Sequence, residues 1–475
     1  MKQIRHRTGA VTEMEQTTAK KNKYEIDMCN GTIMDKLISF SLPLMLSGIL
    51  QLMFNAVDII VVGRFSGSQA LAAVGSTSAL INVFTNLFIG ISLGANVLTA
   101  RFYAAGREKE VSETVHTAIT LALVSGIVMA LVGLVFSKGA LALMGTPDDV
   151  IGLSALYMRI YFLGMPFFML YNYGAAILRA VGDTKRPLLF LMIAGVINAC
   201  LNMVLVIVFK LGVAGVAIAT VISQMISCVL VLRCLCRSES SYRLRFSELG
   251  MKGYYLKQIF SVGVPAGIQS TVINFSNVLL QSSVNSFGST AMAGYTAANN
   301  LLGFLYVSVN SITQACMSFT SQNYGVGKLK RMDRVLADCM ILSVVVAVVL
   351  GCICYGFGPE ILQIYTEDAE VIACGMEILA YTTITYFLCG WMDLFPGALR
   401  GMGYSAVPMV LSVIGTVGTR VVWIFGIFPY HRSLAILFIS YPASWIITII
   451  LQVVCFYFVR RRVHRRSQTP AGQEG

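Results

Sequence analysis

Almost from end to end, the chain is divided into apolar runs of about 20 residues or more, separated by short polar breaks. A helix of that length crosses a hydrocarbon core about 30 Å thick. Inside lipid, only helices and closed barrels can satisfy every backbone N–H and C=O. The runs are continuous rather than alternating, which selects helix over barrel strand. They fall at 36–62, 70–99, 112–137, 151–178, 187–209, 213–235, 257–284, 292–318, 335–357, 372–398, 406–429 and 434–459. The expectation is an all-α membrane protein with about 12 transmembrane helices. Composition agrees: 12% of residues are charged, whereas soluble domains carry about 25%.

Residues 1–31 are polar and of mixed charge, without the short apolar segment of a signal peptide, so the first span is expected to direct its own insertion. The net charge of +12 raises the possibility of a nucleic-acid partner, but its distribution argues otherwise. With twelve spans, 29 of the 35 Lys and Arg fall on the side of the two termini. That bias predicts cytoplasmic termini in a cell (inner or plasma) membrane. The aromatic-basic interleaving of a nucleic-acid surface is missing. The twelve cysteines lie mostly alone in apolar runs and read as small packing residues.

An internal repeat divides the chain. A shift of 221 lays ILRAVGDTKRP (177–187) on ALRGMGYSAVP (398–408) and ARFYAAGREK (100–109) on SQNYGVGKLK (321–330). A shift of 222 brings Pro43 onto Pro265 and Asn55 onto Asn277. Arg, Gly and Pro matched at loop positions in one register imply two pseudo-symmetric six-helix lobes. Parallel repeats of this kind place a substrate site between the lobes. The expected organisation is a cytoplasmic tail (1–31), an N-terminal lobe (32–237), a cytoplasmic linker (238–256), a C-terminal lobe (257–459) and a basic cytoplasmic tail (460–475).

SLP at Ser41–Pro43, N-x-V-D-x-x-x-V-G-R at Asn55–Arg64, LRAVGDTKRP and its partner LRGMGYSAVP together resemble the multidrug and toxic compound extrusion (MATE) family. Within it, the aspartate of the first span is most similar to the DinF-like branch. The resemblance covers residues 30–460 or so, nearly the whole chain. It implies a V-shaped pair of lobes that exports bulky, often cationic compounds in exchange for H+ or Na+.

Asp58 is the residue that most needs explaining, because a charged side chain at mid-bilayer costs about 2.5–3.5 kcal/mol on insertion scales. Gln51, Asn55 and Asp58 are spaced i, i+4, i+7, so they share one helix face, expected to line the lobe interior. Asn198 and Asn202 of the fifth span and Thr220 of the sixth are candidate partners. The resemblance implies the same set, since sodium-binding members gather an aspartate, an N-x-x-x-D pair and a threonine from these spans. Asp58, Asn198 and Thr220 match and define a possible Na+ site. Asn202 replaces the second acid, which weakens sodium binding and leaves proton coupling at least as plausible. Hydrogen bonding between helices is the plainer reading of the Asn pair.

The second half lacks the acid, since Asp58 falls on Leu279 or Leu280. Asp393 in the tenth span falls on Asn172, and both are candidates to line the cavity. Arg420 in the eleventh span needs a buried counter-charge, and Asp393 is the expected partner in a structural ion pair. Pro43, Pro265, Pro166 and Pro396 permit kinks. Tyr157, Tyr161, Tyr171, Tyr173, Met165 and Met169 offer an aromatic, adaptable surface, although packing alone accounts for most such residues.

An enzyme is not expected. GVGK at 325–328 lacks the upstream Gly of a phosphate-binding loop, and His6, His116, His431 and His464 are far apart in sequence. The reading is a secondary-active multidrug exporter of drug-like small molecules, monomeric in the lipid bilayer. It binds no nucleic acid and no cofactor beyond the coupling ion, H+ or Na+. The alternative is a flippase for a lipid-linked or amphipathic cargo, which would call for several cationic cavity residues.

Overall fold

The computed structural model describes residues 23–468. Segments 1–22 and 469–475, which carry most of the expected N-terminal tail, His6 and the end of the basic tail, lie outside the described residues. The helices are, in order, α1 (Met34–Phe65), α2 (Ser68–Ala104), α3 (Glu108–Leu143), α4 (Asp148–Leu163), α5 (Met165–Ala180), α6 (Lys185–Asn202), α7 (Gly212–Cys236), α8 (Gly253–Asn285), α9 (Ser289–Gly325), α10 (Leu329–Gly356), α11 (Gly358–Gln363), α12 (Ala369–Thr382), α13 (Tyr386–Gly401), α14 (Ala406–Ser412), α15 (Thr419–Val422) and α16 (Leu434–Gln468). Three π-helical stretches, Met203–Val208, Val413–Gly418 and Trp423–Ile427, continue α6 and flank α15.

Eight helical segments are long and apolar enough to span a membrane. Counting the bent pairs α4/α5 (48°) and α12/α13 (51°) as one span each gives ten. The other two expected spans are α8 and α9. Both are continuous, of 33 and 37 residues, but rich in Ser, Thr, Asn and Gln. Pro166 opens α5 just after the first bend, whereas Pro43, Pro265 and Pro396 lie inside unbroken helices.

The apolar cores do not follow the expected boundary between lobes. Met28, Leu37, Phe40 and Leu44, at and before the start of α1, pack with Ile312, Phe319, Leu336 and Leu394 of the second half. Reciprocally, Tyr255 and Ile259 at the start of α8 join the core of the first half. Where α2 crosses α8, Gly90 and Gly94 face Gly263 and Gly267. A Cβ on Gly90 would fall on the Gly267 backbone, and one on Gly263 would fall on Ile91. This small-xxx-small spacing on both partners brings two backbones into direct contact.

A strap of residues 24–31 ties the two halves together at the end of the molecule that holds the α2–α3 and α9–α10 turns. The Glu25 carboxylate accepts hydrogen bonds from Tyr103 and Tyr242 of the first half, each 2.7 Å. Burial pushes the Tyr242 phenol up from its ordinary pKa, so it remains a donor. Further along, Asn323, Lys328 and Arg331 of the second half donate to the backbone carbonyls of Met28, Cys29, Asn30 and Gly31 at 2.8–3.2 Å. Gln322 also crosses between halves, donating to the Ala180 carbonyl at 2.7 Å.

Candidate functional site

Asp58 lies on α1 where that helix packs against α6. Gly195 of α6 makes the approach possible, because a Cβ there would fall on the Phe54 ring. The carboxyl is turned into the first half and is 9% exposed. Asn202 donates to Asp58 Oδ1, and Thr220 Oγ1 stands 3.5 Å from Asp58 Oδ2. Asn202 also donates to Asn198 Oδ1 at 3.2 Å, and Asn198 Nδ2 stands 3.5 Å from Thr220 Oγ1. The four expected residues therefore close a ring of hydrogen bonds, drawn from α1, α6 and α7.

The chemistry of the ring lies in its donors. All are neutral, and no Lys, Arg or His forms an ion pair with Asp58 among the described residues. A buried carboxylate served only by amides and a hydroxyl retains most of its desolvation penalty unless a cation neutralises it. The Thr220 hydroxyl has a single proton, shared between Asp58 and the Val216 carbonyl at 2.9 Å. Among the described residues Asn202 Oδ1 is buried without a partner, an acceptor left over. The four residues thus carry two carboxylate oxygens, two amide oxygens and one hydroxyl oxygen, the donor types that suit a proton or a small hard cation. Tyr157 and Tyr161, stacked at 6.1 Å between centroids, lie within electrostatic reach of Asp58.

The expected polar stripe on α1 divides. Gln51 and Asn55 are exposed and make no side-chain hydrogen bond among the described residues, so only Asp58 enters the lobe. The three residues share a face only approximately, and packing against α6 takes the last of them. Asn172 is half-buried and donates to the Phe168 carbonyl within its own helix, at 2.8 Å.

The expected ion pair of Arg420 with Asp393 is not formed. Arg420 Nη1 donates to Asn277 Oδ1 at 2.7 Å and to Ser276 Oγ at 3.3 Å, and its guanidinium lies 4.7 Å from the Tyr441 ring centroid. Asp393 instead lies within electrostatic reach of Arg400. Oxygens of α8 and an aromatic face of α16 have taken the place of the acid. Arg179 and Arg400, expected in loops, belong to α5 and α13 and donate to Gln314 (3.2 Å) and Gln269 (2.6 Å). A sequence signal for Arg420 was already present in the repeat, because the shift that pairs Pro187 with Pro408 lays Asn198 on Thr419, the residue before Arg420.

The MatE family matches this chain twice, over residues 43–204 and 265–425, with starts 222 and ends 221 residues apart. The chain belongs to the MatE family. Its two matched segments reproduce the register of the internal repeat. This MatE chain is 32% identical to the probable multidrug resistance protein YoeA of Bacillus subtilis (strain 168), over 89% of its own length and 93% of the relative's. It is 22% identical to the multidrug export protein MepA of Staphylococcus aureus (strain NCTC 8325 / PS 47), over 80% and 84%. Among solved structures, an outward-facing multidrug resistance MATE family transporter of the MOP superfamily superposes with a TM-score of 0.85, at 19% identity, over 95% of this chain and all of the other. The MatE chain is thus a multi-pass membrane transporter and not an enzyme.

Proposed function

We propose that this MatE chain is a secondary-active multidrug exporter. It sits in the cell membrane as a monomer with both termini cytoplasmic, and exchanges bulky cationic or amphipathic compounds for H+ or Na+ at Asp58. One observation carries this reading: a carboxylate buried inside the first half among neutral donors alone. With no resident positive charge, its neutralisation depends on a mobile one, and the preferred shape of the lobe follows occupancy. Asn198, Asn202 and Thr220 supply the remaining oxygens, and the names of YoeA and MepA support the class of cargo.

The test is ethidium efflux from proteoliposomes with the Na+ and H+ gradients varied independently. Asp58→Asn keeps the hydrogen-bonding shape but cannot hold a cation. It is expected to lower coupled efflux at least about tenfold, a difference of 1.4 kcal/mol or more. Normal coupled efflux by well-expressed Asp58→Asn would overturn the proposal.

A further inference from the structure

Each half builds one polar cluster from its first, fifth and sixth spans, and the two clusters carry opposite charge. In the first half the members are Asp58, Asn198, Asn202 and Thr220. In the second they are Ser276 and Asn277 of α8, Arg420 of α15 and Tyr441 of α16. The repeat relates them: the shift of 222 that fits the first span carries Asp58 to Leu280, and the shift of 221 that fits the later spans carries Asn198 to Thr419, the residue before Arg420, and Thr220 to Tyr441. The fifth span of each half also loosens into π-helix beside its cluster, after Asn202 in one and on both sides of Arg420 in the other. Such departures from α-helix concentrate at functional positions.

Arg420 is 3% exposed, and no carboxylate lies within ion-pair distance of it among the described residues. Neutral oxygens and an aromatic face surround it, which is how a site holds a bound cation rather than how a protein pairs two of its own charges. Leu280, where the acid would stand, is 1% exposed and apolar.

We propose that the Arg420 guanidinium is a tethered stand-in for the exchanged ion. It fills in the second half the place that H+ or Na+ fills beside Asp58. The second half is therefore permanently loaded, and each cycle exchanges one cation through the first half only. This rests on the reading of Asp58 given above and adds the stoichiometry that follows from it.

The experiment measures initial ethidium efflux in proteoliposomes against external Na+ at fixed pH, and against pH without Na+. The unaltered protein is expected to respond to its coupling ion with a Hill slope of about one. Arg420→Lys keeps that slope but slows efflux about threefold, because an ammonium cannot reproduce the planar fork. Arg420→Met slows it at least about tenfold. Leu280→Asp combined with Arg420→Asn gives the second half an acid and neutral oxygens, and its slope rises toward about two. A slope near two for the unaltered protein, full-rate efflux by Arg420→Met, or an active double variant with a slope of one would each overturn the proposal. The measurement on unaltered protein decides the matter even where a variant fails to fold. Asp58→Asn separates the two readings: intact coupling there removes the Asp58 reading itself, whereas lost coupling alongside a wild-type slope of two removes only the Arg420 proposal.

Discussion

At the scale of single residues, the first half differs from a two-acid site by one atom pair, the amide of Asn202 where a carboxylate would stand. The Asn202 amide donates to Asp58 Oδ1, so ionised Asp58 already has a partner there. In Asn202→Asp the donor becomes a second negative oxygen, and a hard cation is held more tightly. Asn202→Asp is expected to lower the Na+ concentration for half-maximal efflux about tenfold, measured at a pH where proton-driven efflux is slow. Thr220→Val removes one weak donor to the carboxylate, worth about 0.5–1.5 kcal/mol. Its expected effect is a several-fold shift in the same half-maximal concentration with maximal rate nearly retained, read from the same titration. These four residues were legible in the sequence because polar groups stand out against apolar helices. The partners of Arg420 were less so, since an amide, a hydroxyl and a tyrosine ring carry no charge to look for.

At the scale of elements, hydropathy located the long helices but not their bends or their ends, and it passed over the short α11 between the ninth and tenth spans. Arg179 and Arg400 read as loop residues because charge was taken to end a span, yet both lie in the last turns of α5 and α13, bonded to glutamines. α8 and α9 are more polar than a lipid-facing helix needs to be, and both pack across to the other half. Ser318 donates to Asn96 at 3.1 Å and Ser321 to the Val97 carbonyl at 2.6 Å, so part of that polarity stitches α9 to α2. The α2–α8 crossing is equally specific. Gly90→Val places branched carbon where the Gly267 backbone stands, and overpacking of this kind costs about 1–3 kcal/mol. The expected result is a lowered melting temperature in detergent and slowed efflux, whereas Gly75→Ala, at an open position on the same helix, changes neither.

At the scale of the whole molecule, the strap joins the two halves at one end. The repeat predicted two bundles but gave no sign that residues 24–31 lie across both, because a short polar stretch before the first span reads as tail. Glu25→Ala removes two hydrogen bonds to a carboxylate, from the half-buried Tyr103 and the buried Tyr242, each worth about 1.5–3 kcal/mol where one partner is charged. Spin labels at Lys109 and Lys330, exposed and matched by the repeat, report the separation of the halves at this end. Glu25→Ala is expected to shift their distance distribution toward longer values. An unchanged distribution would mean that the strap follows the motion without restraining it.

The contact of α2 with α8 also sets a mechanical ratio. At 1.5 Å per residue, Gly90 lies about 33 Å from Ser68 and about 21 Å from Ala104 along α2. If backbone meets backbone there and the helix moves as a rigid rod, the crossing acts as a fulcrum nearer the strapped end. A small displacement at the strapped end is then magnified about one and a half times at the opposite end of α2.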